Sequence, residues 1–235
     1  MACDSRFSRS EIVLGSDATE RLKTAKVIVF GVGGVGSWCA EALVRTGLSH
    51  LTLVDSDTVA ASNLNRQAMA TSKTLGEAKV EAMRRRLLEI APDADIAARA
   101  ERFTPETAGN FELSSFDFVI DAIDSVADKA ELILRTLACG GKTRLFSSMG
   151  AALRTDPTKI QVSQFRKIEG DGLARALRGR FRKLGGKIKG DFLCVCSSET
   201  PCVSEVAGRG SLMTVTAAFG LTLASLVLDA VRRHT

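Results

Sequence analysis

A glycine-rich turn near the start of the chain has the residue types and spacing that bind a phosphate. Gly31, Gly33 and Gly36 form a Gly-x-Gly-x-x-Gly pattern directly after the apolar run 27–30, and Gly34 lies inside it. When such a turn joins a strand to a helix, the first glycine permits the tight turn and the second lets backbone N–H groups approach the anion. The helix that begins there adds the positive end of its dipole. Alone, the pattern fits NAD as well as ATP.

Two cations downstream of this turn favour a triphosphate over a dinucleotide. Asp55 follows the next apolar run and suits a ribose hydroxyl of either ligand. A dinucleotide site has no use for Arg66 and Lys79, whereas a triphosphate does, because charge builds on its oxygens as the α–β bond breaks. These residues therefore predict ATP as the ligand.

The other polar residues of this segment each have an ordinary explanation when taken singly. Asn63 and Gln67 share a loop with Arg66, where turn formation and solvation account for most polar side chains. Asp57 lies in the loop that follows the same apolar run. Lys79 opens a predicted helix, where the helix dipole disfavours its charge, so an anion bound there would explain its position. Together with the glycine turn, the set indicates a nucleotide site.

A second acidic pair ends a later apolar run. Asp121 and Asp124 follow the predicted strand at 116–121, and the ligands of open parallel sheets bind at the carboxyl ends of strands. Asp124 could hold Mg²⁺ between phosphate oxygens. It could equally cap the helix that is predicted to start at Ser125. For Asp121 we expect a structural part.

Alternating apolar runs and helical patterns predict the fold that positions these residues. The runs that we interpret as strands lie at 26–30, 50–54, 94–99, 116–121 and 143–148, and those that we interpret as helices lie at 17–25, 34–46, 77–90 and 125–138. This order predicts an α/β fold with a doubly wound, mainly parallel, Rossmann-like sheet.

The pattern changes after Gly150. Residues 159–165 alternate apolar and polar side chains, which predicts an antiparallel strand. A basic helix at 171–184, a strand at 191–197 and an apolar helix at 211–232 complete the chain. We therefore expect a single domain over 5–235, in which 25–150 form an ATP-binding core and 151–235 form a substrate-facing and dimerisation lobe.

Composition restricts the location and the partners of the protein. The 235 residues carry a net charge of +5, and no basic and apolar signal segment opens the chain. The longest uncharged run, 212–228, is short for a membrane span and contains threonine and serine, which favours a buried or dimer-interface helix. Six cysteines without a signal segment indicate reduced thiols. We expect a cytoplasmic protein that does not bind a membrane.

A basic segment predicts an RNA partner. Residues 166–189 contain nine Lys or Arg and two acids, a net +7 that exceeds the +5 of the whole chain. Arg175, Arg178 and Arg182 gather on one face of the predicted helix. A basic run is often only a solvated surface, but this local concentration favours binding of RNA phosphates. Aromatic residues amount to 5%, which argues against a stacking surface for single-stranded nucleic acid.

The cysteines at 194, 196 and 202 do not predict zinc. Structural zinc sites use pairs with two to four residues between ligands, whereas this chain has one tight pair with a single intervening residue and two histidines in all. A nucleophilic thiol stays an alternative, and core or surface thiols are the default.

Over nearly its whole length the chain resembles the ubiquitin-activating-type superfamily, which includes ThiF and MoeB. The motifs that carry the resemblance are Gly31-Val-Gly-Gly-Val-Gly36, Val54-Asp-Ser-Asp-Thr-Val59, Ser62-Asn-Leu-Asn-Arg-Gln67, Gly76-Glu-Ala-Lys79 and Asp121-Ala-Ile-Asp124. The opening Arg6-Phe-Ser-Arg9 is similar to an N-terminal arginine motif that reaches ATP across a dimer in that family. The resemblance thus implies a homodimer with Arg9 in the partner's site.

The same resemblance implies roles for single residues. It implies Asp55 on the ribose, Asp124 on Mg²⁺, and Asn63, Arg66 and Lys79 on the phosphates. Catalysis then rests on Arg9, Arg66, Lys79 and Asp124, and the glycine turn, Asp57 and Gln67 complete the nucleotide site.

Within the superfamily the chain is most similar to the tRNA threonylcarbamoyladenosine dehydratase group. The residues that indicate this are Asp121-Ala-Ile-Asp-Ser125, Ser147-Ser-Met-Gly150, Asp156-Pro-Thr-Lys-Ile-Gln-Val162, the basic helix and Cys194-Val-Cys-Ser-Ser-Glu199. The two Cys-x-x-Cys pairs usual in ThiF and MoeB are absent. The chain also has no cysteine at 205–210, where some dehydratases carry one.

The group implies a reaction, a cofactor set and a partner. The enzymes use ATP with Mg²⁺ to cyclise threonylcarbamoyladenosine beside the tRNA anticodon. Adenylation of the C-terminus of a small sulfur-carrier protein is one alternative, and a nucleotide-dependent RNA-binding module without catalysis is another. A monovalent cation and a sulfur-transfer partner protein stay open.

Overall fold

The computed structural model describes residues 5–185, 188, 190–202 and 210–233, and the described strands form one seven-stranded sheet. The strands are β1 (Lys26–Phe30), β2 (His50–Val54), β3 (Asp95–Arg99), β4 (Phe118–Asp121), β5 (Arg144–Ser148), β6 (Ile160–Gln164) and β7 (Leu193–Ser197). The helices are α1 (Ser8–Leu14), α2 (Ser16–Thr24), α3 (Gly36–Thr46), α4 (Lys79–Ile90), α5 (Val126–Ala138), α6 (Gly172–Lys183) and α7 (Met213–Arg232).

The sheet order β3-β2-β1-β4-β5-β7-β6 confirms the doubly wound prediction. All neighbouring pairs are parallel except β6 with β7, which are antiparallel, as the alternating pattern of 159–165 predicts. Residues 27–30 of β1 and 118–120 of β4 are apolar and buried because helices cover both sides of the sheet. The edge strand β6 contains no buried residue and keeps more exposure.

Helices pack on both faces of the sheet and form two cores. One core unites α3, α4 and α7 with one sheet face, around Leu43, Met83 and Phe219. The other unites α5 and α6 with the opposite face, around Ile133 and Phe181. The sheet thus has a buried apolar layer on each side, which leaves the ends of the strands for polar groups.

Helix α7 is the apolar helix that the sequence predicts. By length and composition alone it could cross a membrane, with a mean hydropathy of 1.7, but 56% of that stretch is buried inside the fold. It packs so closely on the start of α3 that a Cβ at Gly220 would lie 2.3 Å from the Val35 carbonyl oxygen. Helix α7 is therefore a core helix of this fold.

The chain reverses its direction across the sheet between β1 and β4. From β1 the chain continues outward to β2 and β3, whereas β4 begins the other half on the opposite side of β1. Ligands of open α/β sheets bind outside the carboxyl ends of the strands at such a reversal. The ends of β1, β2 and β4 carry the glycine turn and both acidic pairs.

Candidate active site

The glycine turn after β1 is packed tightly on one side and open on the other. Gly31 has φ +87°, and a Cβ there would lie 2.6 Å from the Ala122 carbonyl oxygen. A Cβ at Gly36 would lie 1.8 Å from the Gly31 carbonyl oxygen. At Gly33 the nearest described atom to such a Cβ would be Gln67 Nε2 at 3.9 Å. Protein packing therefore explains two of the glycines, and the space beside the third is available to a ligand.

Helix α3 begins directly after this turn. In the part of the chain that the structure describes, no side chain caps the first turn of α3, so no side-chain acceptor occupies the positive end of its dipole. The carboxylate of Asp55, at the end of β2, accepts hydrogen bonds from Val32 N–H at 2.7 Å and from Asp57 N–H at 2.9 Å. Asp55 thus holds the glycine turn against the end of β2, and the arrangement favours an anion at the helix start.

Lys79 lies at the same edge through a short backbone pairing. Thr58 and Ala78 form an isolated antiparallel bridge, and Lys79 N–H donates to the Asp57 carbonyl oxygen at 3.0 Å. The Lys79 ammonium stands 2.7 Å from Asp57 Oδ2, with the lysine side chain 7% and the aspartate 67% exposed. A nearly buried ammonium needs a counter-charge. Asp57 supplies one, and its exposure leaves room for an anion to take its place.

The loop after β2 places Arg66 against the glycine turn. The Arg66 carbonyl oxygen accepts from Trp38 Nε1 at 2.9 Å, and Arg66 Cγ lies 3.2 Å from where a Cβ of Gly34 would be. The Asn63 carboxamide oxygen accepts from Ala60 N–H at 3.1 Å. The backbone of Arg66 is therefore held by Trp38 of α3, and its side chain packs beside Gly34 of the glycine turn.

The side chains of Arg66 and Gln67 differ in their hydrogen bonding. The Arg66 Nη1 donates to the Ser62 carbonyl oxygen at 2.8 Å and to Asn65 Oδ1 at 2.9 Å. Gln67 is buried, and its Oε1 has no hydrogen-bond partner among the described residues. A buried unpaired oxygen is costly, so this amide is suited to accept a hydrogen bond from a ligand.

The acidic pair after β4 divides into a buried and an exposed member. Asp121 is completely buried, which agrees with its expected structural part. Asp124 is exposed and makes no hydrogen bond or ion pair within the described part of the chain. The cap proposed as its alternative role is not formed, because the residue before α5 is Ser125, and among the described residues no side chain caps that helix.

Arg102 lies near these acids, although the sequence does not indicate it. Its guanidinium donates to Asp128 Oδ2 at 2.8 Å, and this hydrogen bond raises the pKa of Arg102. The charges of Asp124 and Asp57 contribute in the same direction. Arg102 therefore lies within range of the charges of acids at the ends of both β2 and β4.

The donor set at this edge fits Mg²⁺ that arrives with a nucleotide. Mg²⁺ is usually held by one or two carboxylates together with phosphate oxygens and water. Asp124 offers one exposed carboxylate beside the glycine turn. Among the described residues there is no group of three or more His, Cys, Asp or Glu that could hold a metal ion.

The structure brings most of the predicted nucleotide site together and leaves one residue elsewhere. The residues that meet at the carboxyl edge are Gly31, Gly33, Gly34, Gly36, Asp55, Asp57, Asn63, Arg66, Gln67, Lys79 and Asp124. Arg9 lies on α1, where neighbouring Arg6 pairs with Asp93 at 2.6 Å and Phe7 packs against Gly47. Asp93 precedes β3 and Gly47 ends α3, so α1 lies at the amino edge of the sheet.

The predicted basic face divides in the structure. Asp171 caps α6, its carboxylate accepting from Ala174 N–H at 2.9 Å. Arg175 and Arg182 are exposed. Arg178 instead donates to the carbonyl oxygens of Phe165 and Ile168 and stacks 5.4 Å over the Phe165 ring. Its guanidinium is therefore engaged in holding the preceding turn.

The cysteine segment is mostly enclosed. Cys194 and Cys196 lie in β7 and are buried, while Cys202 is exposed. Burial raises the pKa of both buried thiols, which disfavours the thiolate that a nucleophile needs. The packing agrees with core thiols at 194 and 196.

Comparison with known proteins identifies the relatives. The model of the ThiF family matches residues 7–235. A tRNA threonylcarbamoyladenosine dehydratase from Bacillus subtilis is 40% identical over 84% of this chain and 76% of its own length. The solved structure of the Escherichia coli tRNA N6-threonylcarbamoyladenosine dehydratase in complex with ATP has a TM-score of 0.89 and 35% identity, covering 98% of this chain and 97% of that one. A molybdopterin-synthase adenylyltransferase from Escherichia coli is 34% identical over 75% of the chain and 68% of its own length.

Proposed function

The chain belongs to the ThiF family, and from this membership we propose that it is an ATP-dependent tRNA threonylcarbamoyladenosine dehydratase. The observation that carries the proposal is the placement of Arg66 and Lys79 beside an open glycine turn, in a fold shared with an ATP-bound dehydratase. The enzyme binds ATP at the carboxyl edge of the sheet and acts on tRNA. Its substrate is the threonylcarbamoyl adenosine next to the anticodon.

The reaction begins with activation of a poor electrophile. The threonyl carboxylate attacks the α-phosphate of ATP, an acyl-adenylate forms, and pyrophosphate leaves. Negative charge grows on the phosphate oxygens as the α–β bond breaks. Arg66 and Lys79 stabilise this charge, and the N–H groups at the start of α3 add the helix dipole. To do so, the Lys79 ammonium leaves its ion pair with Asp57 and contacts a phosphate oxygen instead.

Ring closure follows within the same side chain. The carbamoyl group attacks the activated carbonyl, and AMP leaves with the oxygen that the nucleoside loses as water. Because the two groups belong to one substrate, proximity supplies much of the rate. No protein nucleophile is needed.

Mg²⁺ held by Asp124 would neutralise phosphate charge when it is bound with the nucleotide. Asp55 orients the ribose, and Asn63 and Gln67 complete the contacts to the nucleotide. In this arrangement residues 25–150 form the ATP-binding core and 151–235 the substrate-facing and dimerisation lobe.

The protein acts as a cytoplasmic homodimer. Support comes from α1, whose Ile12 and Val13 are 80% and 77% exposed although both are apolar. Such side chains on a helix at the edge of the fold suit a subunit interface. The same helix would carry Arg9 into the site of the partner subunit.

The experiment that tests the function is mass spectrometry of tRNA nucleosides after incubation with the protein and ATP. We expect threonylcarbamoyladenosine to lose the mass of one water only when ATP is present. Incubation with Lys79→Ala protein is the matched control. Unchanged nucleosides with correctly folded protein and ATP bound would contradict the proposal and leave an RNA-binding module without catalysis.

Adenylation of a sulfur-carrier protein is the second candidate, and the adenylyltransferase relative supports it. The absence of Cys-x-x-Cys pairs from this sequence speaks against it. Appearance of a carrier-protein adenylate in the same assay, with no change in the tRNA, would favour this alternative.

Charge reversal on α6 is expected to weaken tRNA binding without affecting ATP binding. Arg175→Glu with Arg182→Glu removes two exposed cations. For each phosphate contact that is lost, the slope of log K against log salt concentration becomes less steep by about 0.7 to 0.9. Titration of tRNA at several salt concentrations measures this. Lys23→Glu, on α2, is the matched surface control. Equal affinity and slope in the double variant would mean that the basic face is merely solvated.

Serine at Cys194, Cys196 and Cys202 together is expected to leave measurable cyclisation, because ring closure needs no thioester. Burying hydroxyl groups at the two enclosed positions costs about 1 kcal/mol or more, so turnover is normalised to folded protein. The measurement is the amount of cyclic nucleoside formed. A folded triple variant that binds ATP and tRNA but forms none would indicate covalent catalysis.

A further inference from the structure

A buried ion pair lies directly behind the segment that follows β4. The Lys129 ammonium stands 2.8 Å from Asp121 Oδ2, and neither side chain is exposed to solvent. Ser147 donates a 2.7 Å hydrogen bond to the same carboxylate oxygen. The proposed reaction uses none of these groups, because a completely enclosed lysine cannot contact a substrate.

The pair also holds the backbone of residues 121–123. Lys129 Nζ donates to the carbonyl oxygen of Ile123 at 3.0 Å and to that of Asp121 at 3.4 Å. The Asp121 carboxylate accepts from Ile123 N–H at 3.2 Å. The ammonium thus holds the carbonyl groups of this short loop and the carboxylate holds one of its N–H groups. Because the pair is buried, water does not weaken these hydrogen bonds.

This loop separates the glycine turn from Asp124. Ala122 N–H donates to the Phe30 carbonyl oxygen at 2.8 Å, and the Ala122 carbonyl oxygen fills the space that a side chain of Gly31 would need. Asp124 comes two residues later and has no hydrogen bond of its own within the described residues. The direction of its carboxylate therefore depends on the backbone that precedes it.

We propose that Lys129 is a positioning residue: with Asp121, it fixes the loop that presents the Asp124 carboxylate to the metal of the bound nucleotide. The proposal rests on the metal role given to Asp124 above. Stability alone is a poor explanation for the pair, because desolvation offsets the attraction of a buried ion pair and apolar replacements are often as stable.

The test compares ATP binding by calorimetry with Mg²⁺ and with EDTA, and the ratio of the two Kd values measures how much the metal strengthens binding. We expect Asp124→Ala to lower this ratio about 10-fold, as loss of one metal ligand would. The double variant Asp121→Asn with Lys129→Met removes both charges without leaving one unpaired, and we expect a similar loss. Binding in EDTA should change less than about 3-fold.

Combination of the variants separates positioning from general damage. Adding Asp124→Ala to the double variant should cause no further loss, because both changes act on one contact. Glu41→Gln is the matched control: it alters another buried carboxylate, paired with Arg86 and remote from this loop, and should leave the ratio unchanged. An equal loss in this control, or additive losses in the combined variant, would overturn the proposal.

A milder variant decides the matter if the double variant does not fold. Ser147→Ala removes one hydrogen bond from Asp121, and we expect a loss of about 2- to 3-fold in the ratio. An unchanged ratio in Ser147→Ala or in a folded double variant, together with a loss in Asp124→Ala, would refute the role of Lys129. If Asp124→Ala itself leaves the ratio unchanged, the metal role of Asp124 in the proposed function fails instead, and the positioning proposal with it.

Discussion

Lys79→Ala is expected to lower the rate of adenylate formation about 100-fold or more and to leave the fold intact. The ammonium is the cation that can move from Asp57 to the phosphates, and its loss leaves growing charge unstabilised in the transition state. Stability should change little because the abandoned partner, Asp57, is 67% exposed and can be solvated. ATP–pyrophosphate exchange measures the rate, and thermal unfolding checks the fold.

Arg66→Ala is expected to have an effect of the same size, because its side chain packs beside Gly34 of the glycine turn. Lys73→Ala is the matched control: that lysine is exposed in the same loop region, and its removal should change the exchange rate less than about 2-fold. Near-normal exchange in Arg66→Ala, Lys79→Ala and Asp124→Ala alike would place the chemistry elsewhere in the molecule.

The central strands could be predicted because they are buried on both faces. Runs such as Val27–Phe30 and Phe118–Ile120 are apolar without alternation, and polar or glycine-rich turns end them, so length and composition suffice to locate them. The order of the strands was not predicted, because the preference for right-handed crossovers fixes the hand of each connection and not which strands become neighbours. The sequence pattern does not predict helix α1. This helix has seven residues, none of them buried, so it lacks the buried apolar face from which a helix can be recognised.

The nucleotide site could be predicted because its parts are local. The glycine turn and Asp55 each follow the end of a strand, and Lys79 begins the helix that starts at the same edge, where parallel strands bring such ends together. The buried pair of Asp121 and Lys129 could not be derived in the same way, because contact between β4 and α5 is a property of packing. One signal was present: Lys129 lies on the apolar side of α5 with Ile133 and Thr136, where a lysine needs a buried partner.

The division of the basic face shows a second limit of sequence patterns. Helical spacing places Arg175, Arg178 and Arg182 together but does not reveal which guanidinium groups are already engaged by the protein. Arg178 donates to two carbonyl oxygens of the preceding turn. We therefore propose tRNA contacts for Arg175 and Arg182, while the tRNA contact predicted for Arg178 competes with its bonds to the protein.

Arg9→Ala is expected to lower adenylate formation about 100-fold, although Arg9 lies far from the site of its own subunit. Arg6 and Phe7 tie α1 to the amino edge of the sheet, through Asp93 and Gly47. A strand of five residues spans about 17 Å, so the length of the sheet separates Arg9 from the carboxyl edge. Within one chain Arg9 has no route to the phosphates, and a two-fold dimer would supply one.

Mixed dimers test this arrangement directly. Arg9→Ala and Lys79→Ala subunits, each nearly inactive as homodimers, are co-expressed with different tags and the heterodimer is purified. If Arg9 acts across the interface, one of the two sites carries both substitutions and is inactive. The other site contains the intact Lys79 of one subunit and the intact Arg9 of its partner, and is active. The heterodimer should then recover about half of the wild-type exchange rate. If Arg9 acts within its own subunit, both sites carry one defect, and an inactive heterodimer would contradict the shared site.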